Sequence, residues 1–186
     1  MKKEEARIFF RQRRKALSKK EEKSKKIKER LFSLPEFKKA KTILFYLSTL
    51  SEVGTLEMIK EAFEEGKEIA VPVVKGDNMI ISELENLSKL KVGAFGILEP
   101  EEERPLSPRK IELAIIPGVA FDETCARLGQ GKGYYDRFLA EIKGKMPLIG
   151  LCFEAQISAK RLPGEDHDLP LDKVITEKRI FKQKFS

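Results

Sequence analysis

Apolar positions along this chain come in two kinds of run. Short, largely apolar stretches recur at Thr42 to Leu47, Glu68 to Val74, Glu112 to Ile116 and Pro147 to Phe153. Runs this brief cannot form independent helices, and their continuity predicts strands buried on both faces. Met79 to Leu84 adds a weaker strand and Lys173 to Thr176 a sixth. Between them the spacing turns helical. Ala6, Phe9, Phe10 and Leu17 lie roughly on one face of a first helix, with Arg7, Arg11 and Arg14 mostly off it. Ser18 to Glu21 reads as a capping box that opens a second helix, whose stripe is Ile27, Leu31 and Leu34. Pro35 then begins a new turn. Thr55 caps a helix running to about Glu65, which Gly66 ends, and Tyr134 to Lys143 is a helix stopped by Gly144. Ser48 to Gly54, the proline-rich acidic stretch Glu99 to Arg109, and Pro117 to Gly133 read as loops.

Strands alternating with helices predict an α/β fold, a mostly parallel sheet with helices on both faces. Ligands of such sheets sit beyond the carboxyl ends of the strands, so the loops 48–54 and 117–133 are expected to share that edge. No internal repeat or linker divides the chain, and its 186 residues suit a single domain, 1–186. No apolar run approaches the roughly 20 residues of a membrane helix, and the first 30 residues hold no apolar signal core. A soluble, cytoplasmic protein is expected. Cys125 and Cys152 have no metal-type spacing and are expected as reduced thiols; with His167 the only histidine, a multi-histidine zinc site is excluded.

Charge changes the picture in one place. Residues 1–30 hold 14 Lys and Arg against 5 Glu, a net of +9, so the other 156 residues sum to −2 out of the overall +7. A phosphate-binding arm for nucleic acid is one reading. The helical spacing and the presence of only Phe9 and Phe10 as aromatics favour the plainer one, a solvated helix face.

The stretch Arg127-Leu-Gly129-Gln-Gly131-Lys132-Gly133-Tyr-Tyr-Asp136 carries the chemistry. It is neither a dinucleotide fingerprint, which needs glycine where Tyr134 stands, nor a P-loop, which needs glycine at Ala126 and a hydroxyl residue at Gly133. A tight turn that merely needs positive φ would account for some glycine. Three alternating glycines around a lysine go further: they free successive backbone N–H groups to converge on an anion at the positive end of the next helix, and Lys132 adds a full charge. Asp136, early in that helix, either complements the helix dipole or holds Mg2+ beside bound phosphate.

These residues, with Pro117-Gly118-x-Ala120-Phe121-Asp122 before them and Arg137 after, resemble the signature of the 5-formyltetrahydrofolate cyclo-ligase (methenyltetrahydrofolate synthetase) family. The likeness extends over nearly the whole chain, through Lys3 and Arg7, Leu47 and Glu52, Gly96 to Pro100, and Asp166 to Asp172. It implies a three-layer α/β sandwich. It also implies an ATP- and Mg2+-dependent ligase that closes 5-formyltetrahydrofolate, with or without a polyglutamate tail, to 5,10-methenyltetrahydrofolate, releasing ADP and phosphate. No nucleic-acid or membrane partner is expected, and the protein is expected as a monomer.

By the same resemblance Lys132 and Arg127 are catalytic, acting on the transferring phosphoryl group. Lys3, Arg7, Gly129, Gln130, Gly131, Lys132, Gly133, Tyr134 and Tyr135 bind ATP, with Tyr135 expected to point inward. Leu47, Glu52 and Tyr134 bind the folate, Glu52 as an acceptor of paired hydrogen bonds from the pterin edge. Asp136 and Asp168 hold Mg2+, and His167 is assigned no chemistry. Two residues depart from the family pattern: Gln130 stands where arginine is common, leaving a phosphate contact to Arg127 or Arg137, and Cys125 stands where glycine is common. A rival enzyme class is an isomerase or transferase acting on a sugar phosphate, because a glycine cradle recognises phosphate in general.

Overall fold

A computed structural model describes residues 2–93, 96–142, 144–164 and 169–183. Among them, seven strands form one sheet: β1 (Thr42–Leu44), β2 (Glu68–Lys75), β3 (Asn78–Leu84), β6 (Leu113–Ile116), β9 (Leu148–Leu151), β11 (Lys173–Ile175) and β12 (Ile180–Lys182). Their order is β12-β11-β9-β6-β1-β2-β3. The inner pairs are parallel, and only the edge hairpins β2-β3 and β11-β12 are antiparallel. The expected mostly parallel sheet is therefore present, with a seventh strand at Ile180–Lys182 that its half-exposed sequence did not announce.

Pleating divides the strand residues between two cores. Ile43, Ile69, Val71, Leu113, Ile115, Ile149 and Leu151 face one side, where they pack with Ile27 and Leu31 of α2 (Lys20–Ser33), Phe37 of α3 (Pro35–Lys39), and Met58, Ile59 and Ala62 of α4 (Leu56–Glu64). Leu44, Ala70, Ala114, Ile116 and Leu148 face the other, against Phe138, Leu139 and Ile142 of α5 (Tyr134–Ile142). Helices on both faces of one sheet make the three-layer α/β arrangement and explain why these strands read as unbroken apolar runs.

A second, three-stranded sheet has two of its strands in the stretch 117–133 expected to be loop: β7 (Ala120–Asp122) and β8 (Arg127–Leu128), with β7 lying between β8 and β10 (Ile157–Ser158). Ala6 and Phe10 of α1 (Lys3–Lys15) pack on it through Val119, Ala120 and Leu128. A small antiparallel pair joins β4 (Leu90–Val92) to β5 (Leu98–Pro100), whose last two residues overlap the start of the stretch read as acidic loop.

Three local readings are corrected. Ser18 does not cap α2; the N-cap position is Lys19, in the left-handed region at φ 55, and no side chain caps the helix. Thr55 occupies the N-cap of α4 but its hydroxyl donates to the Tyr46 carbonyl at 2.6 Å and accepts from the Ser48 amide at 3.1 Å. It ties the loop after β1 instead of the helix. Finally, the buried face of α1 is Ala6, Phe10 and Arg14, and Phe9 is 46% exposed beneath the Arg13 guanidinium. Steps of four along a helix keep one face, so a row that begins at Ala6 reaches Arg14 rather than Phe9.

Candidate active site

Strand β1 stops at Leu44, whereas its neighbour β2 runs on to Lys75 in its hairpin with β3. Pro72, which has no amide hydrogen to give, lies in that overhang, where only β3 still pairs. The overhang, the segment after β1 and the segment after β6 enclose a cavity of about 490 Å³ at the carboxyl ends of the central strands. Chain direction diverges there, β1 leading to β2 and β6 to β9 on opposite sides, so the cavity sits at a topological switch point.

Of the residues expected in a site, Leu47, Glu52, Arg127, Gly129, Gln130, Lys132, Gly133, Tyr134, Tyr135 and Asp136 line this cavity. Lys3, Arg7 and Gly131 do not line it, although Arg7 and Gly131 meet behind the glycine loop. Asp168 lies outside the described residues, as do Asp166 and His167.

The glycine loop is built for close approach by cations. Gly131 and Gly133 hold φ of +100 and +71, values that side chains rarely adopt. A methyl group at Gly129 would lie 2.9 Å from the Arg127 guanidinium, at Gly131 3.3 Å from that of Arg7, and at Gly133 2.9 Å from that of Arg137. Each glycine thus admits one arginine. Arg7 donates to the Gly129 carbonyl at 3.0 Å, and Arg11 to both the Gln130 carbonyl and its side-chain oxygen at 3.1 and 3.0 Å. Helix α5 begins directly after Gly133 and brings its N-terminal amides to the same place.

The solvated face expected for α1 is therefore corrected. Arg7 and Arg11 turn onto the glycine loop, and Arg14, only 7% exposed, turns into the cavity. The tertiary partners that draw these cations inward lie more than 35 residues away in sequence, which is why helical spacing alone placed them outside.

Two sequence departures find their place. Cys125 has φ 64, the left-handed conformation that glycine takes easily, and its amide donates to the Asp122 carbonyl at 3.0 Å. The Asp122 carboxylate, 1% exposed, organises this turn by accepting from Thr124, Ala126 and, at 2.9 Å, the Leu162 amide. At position 130 the cation comes from Arg11 of α1. Arg127 pairs with Asp136 and donates to the Pro117 carbonyl, while Arg137 donates to the Asp77 carbonyl at 2.7 Å.

At the other end of the cavity Glu52 is held by its own loop. One carboxylate oxygen accepts from the Thr49 amide at 2.9 Å and hydroxyl at 3.1 Å; the other lies 3.8 Å from Nη1 of Arg14. Leu47, Tyr46 and Val73 provide apolar wall, and Tyr135 packs against both cores. Burial pushes the Tyr46 and Tyr135 phenols well up from their ordinary values, and the charge of Glu52 adds to it. The Tyr46 hydroxyl donates to the Val53 carbonyl at 3.1 Å. Sequence reasoning missed Arg14, Tyr46, Thr49, Met79 and Glu99 in the lining; the spacing of Lys3, Arg7, Arg11 and Arg14, four, four and three apart, was the available signal for the first.

No group of three or more Cys, His, Asp or Glu converges among the described residues. A metal held mainly by phosphate oxygens needs only one or two protein carboxylates. Asp136, 43% exposed at the start of α5 and beside the cationic loop, fits that mode.

Residues 1–177 match the 5-formyltetrahydrofolate cyclo-ligase family. The 5-formyltetrahydrofolate cyclo-ligase of Escherichia coli (strain K12) is 31% identical over 184 residues, covering 94% of this chain and all of its own. That of Mus musculus is 30% identical over 186 residues, 92% and 91% of the two chains. The solved structure of Aquifex aeolicus 5,10-methenyltetrahydrofolate synthetase superposes with a TM-score of 0.87 at 37% identity, covering 100% of this chain and 95% of the other.

Proposed function

The chain belongs to the 5-formyltetrahydrofolate cyclo-ligase family and is a ligase, and from that premise we propose that it converts 5-formyltetrahydrofolate to 5,10-methenyltetrahydrofolate at the expense of ATP with Mg2+. The observation that carries this reading is that one cavity joins Glu52 and its apolar wall to the glycine loop and Lys132. A folate seated by its pterin at Glu52 then extends toward a phosphate cradle.

The N5 formamide is a poor electrophile, and its oxygen is a poor leaving group. ATP, consumed as a second substrate, supplies a phosphoryl group to that oxygen, with ADP leaving. N10 then attacks the formyl carbon, the carbon–oxygen bond breaks, phosphate departs with the formyl oxygen, and N10 gives up its proton. Positioning and charge stabilisation dominate transfers of this kind. Gly129, Gly131 and Gly133 present backbone amides to the phosphates. Lys132 and Arg127 neutralise the transferring group, and Gln130, fixed by Arg11, closes the loop beside it. Lys3 and Arg7 bring α1 to the nucleotide; Tyr134 and Tyr135 flank it, Tyr134 also toward the folate, with Leu47 against the pterin. Asp136 and Asp168 would hold Mg2+, which when bound would offset the charge of the phosphate oxygens. The enzyme works as a cytoplasmic monomer; among the described residues no helix is long and apolar enough to cross a membrane.

An absorbance assay with 5-formyltetrahydrofolate, ATP and Mg2+, omitting each in turn, follows the conjugated methenyl product in the near ultraviolet. Product is expected only with all three. Folded protein that yields none refutes the assignment and turns attention to sugar phosphates.

A further inference from the structure

Arg14 is the least expected residue of the cavity. It is 7% exposed and lines the cavity wall, yet among the described residues no atom accepts a hydrogen bond from its Nε or Nη1. A buried guanidinium with unmet donors is unfavourable unless something meets them. Its only acidic neighbour in ion-pair range among the described residues is Glu52, at 3.8 Å, too long for a hydrogen bond. Glu52 is asymmetric as well. Its Oε2 already receives two hydrogen bonds from Thr49, so the oxygen open to a ligand is Oε1, the one beside Arg14.

Arg14, buried, and Glu52, partly buried, therefore present one donor and one acceptor side by side, 3.8 Å apart. Their complement is a flat group in which an N–H stands next to a C=O, a cis-lactam. The pterin ring has such an edge, N3–H beside C4=O. We infer that Glu52 Oε1 accepts from N3–H while Arg14 donates to the 4-oxo oxygen, making Arg14 the residue that selects 4-oxo over 4-amino pteridines. A 4-amino ring reverses the edge: it brings its own N–H against the guanidinium and the N3 lone pair against the carboxylate. Sites built to hydrogen-bond a group reject analogues that leave buried partners unmet far more strongly than apolar pockets reject a size change. Paired acceptance by both oxygens of Glu52, the expectation from sequence, is replaced by a division of labour between two side chains.

The inference rests on the folate reading proposed above, and the test separates the two. Dissociation constants of 5-formyltetrahydrofolate, 4-oxo pterin and 2,4-diaminopteridine are measured calorimetrically with the wild-type protein and with Arg14→Met and Arg14→Gln. Thermal melting and ATP binding report integrity. Wild type is expected to prefer the 4-oxo ring by about tenfold or more. Arg14→Met is expected to weaken 4-oxo binding by roughly tenfold to a hundredfold, the range of a hydrogen bond to a charged group. Binding of the diamino ring should change less than threefold, so the preference collapses; Arg14→Gln, which keeps a donor, should retain part of it. An unchanged preference in a folded Arg14→Met overturns the inference while leaving the folate reading intact. Should Arg14→Met fail to fold, equal wild-type affinity for the two rings, or an undiminished preference in Arg14→Gln, overturns it equally. Wild-type protein that binds neither 5-formyltetrahydrofolate nor pterin overturns the folate reading, and this inference with it.

Discussion

Replacing Gly131 by alanine separates a phosphate cradle from a turn that happens to contain glycine. Gly131 sits at φ +100, and the added methyl would stand 3.3 Å from Cζ and 3.5 Å from Nε of Arg7. The backbone strain amounts to about 1–3 kcal/mol. The guanidinium must also move a few tenths of an ångström while bonded to the Gly129 carbonyl at 3.0 Å, which weakens a charged hydrogen bond by about 1 kcal/mol. Together these displace the loop by about 2–4 kcal/mol, equivalent to roughly 30-fold to 1,000-fold in an affinity that depends on it. Nucleotide titration is expected to show ATP binding at least about 30-fold weaker, with 5-formyltetrahydrofolate binding changed less than threefold, because Glu52 is held by another loop. Gly66→Ala is the control: φ is +77, nothing lies within 4 Å, and Gly66 lies outside the cavity lining. It should lose stability through similar strain and keep ATP affinity. ATP affinity within threefold of wild type in a folded Gly131→Ala would refute the cradle.

Other outcomes follow from the same structure. Asp136→Asn keeps the shape of the side chain but removes the charge beside Arg127; the Mg2+ concentration for half-maximal turnover should rise about tenfold or more, and an unchanged requirement removes Asp136 from the metal site. Phe121 is fully buried between Gly118 and Gly150, where methyl groups would lie 2.5 and 2.7 Å from its ring. Phe121→Ala should lower the unfolding free energy in urea by about 3–5 kcal/mol; a loss under 1 kcal/mol would mean that the neighbours collapse into the space. Burial pushes the Cys125 thiol from 9.0 up to about 11, with the Asp122 charge adding to the shift. The unfolded chain then loses this proton first, so its contribution to stability is whole below pH 9 and declines through pH 11, by about 3 kcal/mol in all. Unfolding free energies measured across that window should fall more steeply for wild type than for Cys125→Ala, and parallel slopes would contradict the shift.

The large sheet was legible because strands buried on both faces need apolar residues at every position, a signal that survives without knowledge of the partner strand. The small sheet was not. Its strands Ala120–Asp122, Arg127–Leu128 and Ile157–Ser158 are two or three residues long, too short to show a period, and the third pairs with the first from about 35 residues away. The glycine loop was legible as a special backbone because Gly131 and Gly133 hold positive φ, a requirement that side chains rarely meet. Glu52 became noticeable only through the family resemblance, since a single glutamate in a loop has no local signature. Arg14 illustrates the limit more sharply. Arginine on an amphipathic helix reads as solvated, and the carboxylate that faces this buried charge, Glu52, comes 38 residues later in the chain.

Where the cations come from explains how this loop accommodates glutamine at position 130. Gly131 and Gly133 take backbone conformations that open the loop to close approach, and the guanidinium groups that press on it arrive from three elements: Arg7 from α1, Arg127 from β8, Arg137 from α5. Arg11 reaches residue 130 from a helix anchored by Ala6 and Phe10 on the small sheet. Its donor holds Gln130 through both the carbonyl and the side-chain oxygen, so the residue is fixed in place and the positive charge stays adjacent. The same helix carries Arg14 to the opposite end of the cavity. One helix therefore spans from the glycine loop to the Glu52 site, and the concentration of positive charge in the first 30 residues serves the interior of the molecule as well as its surface.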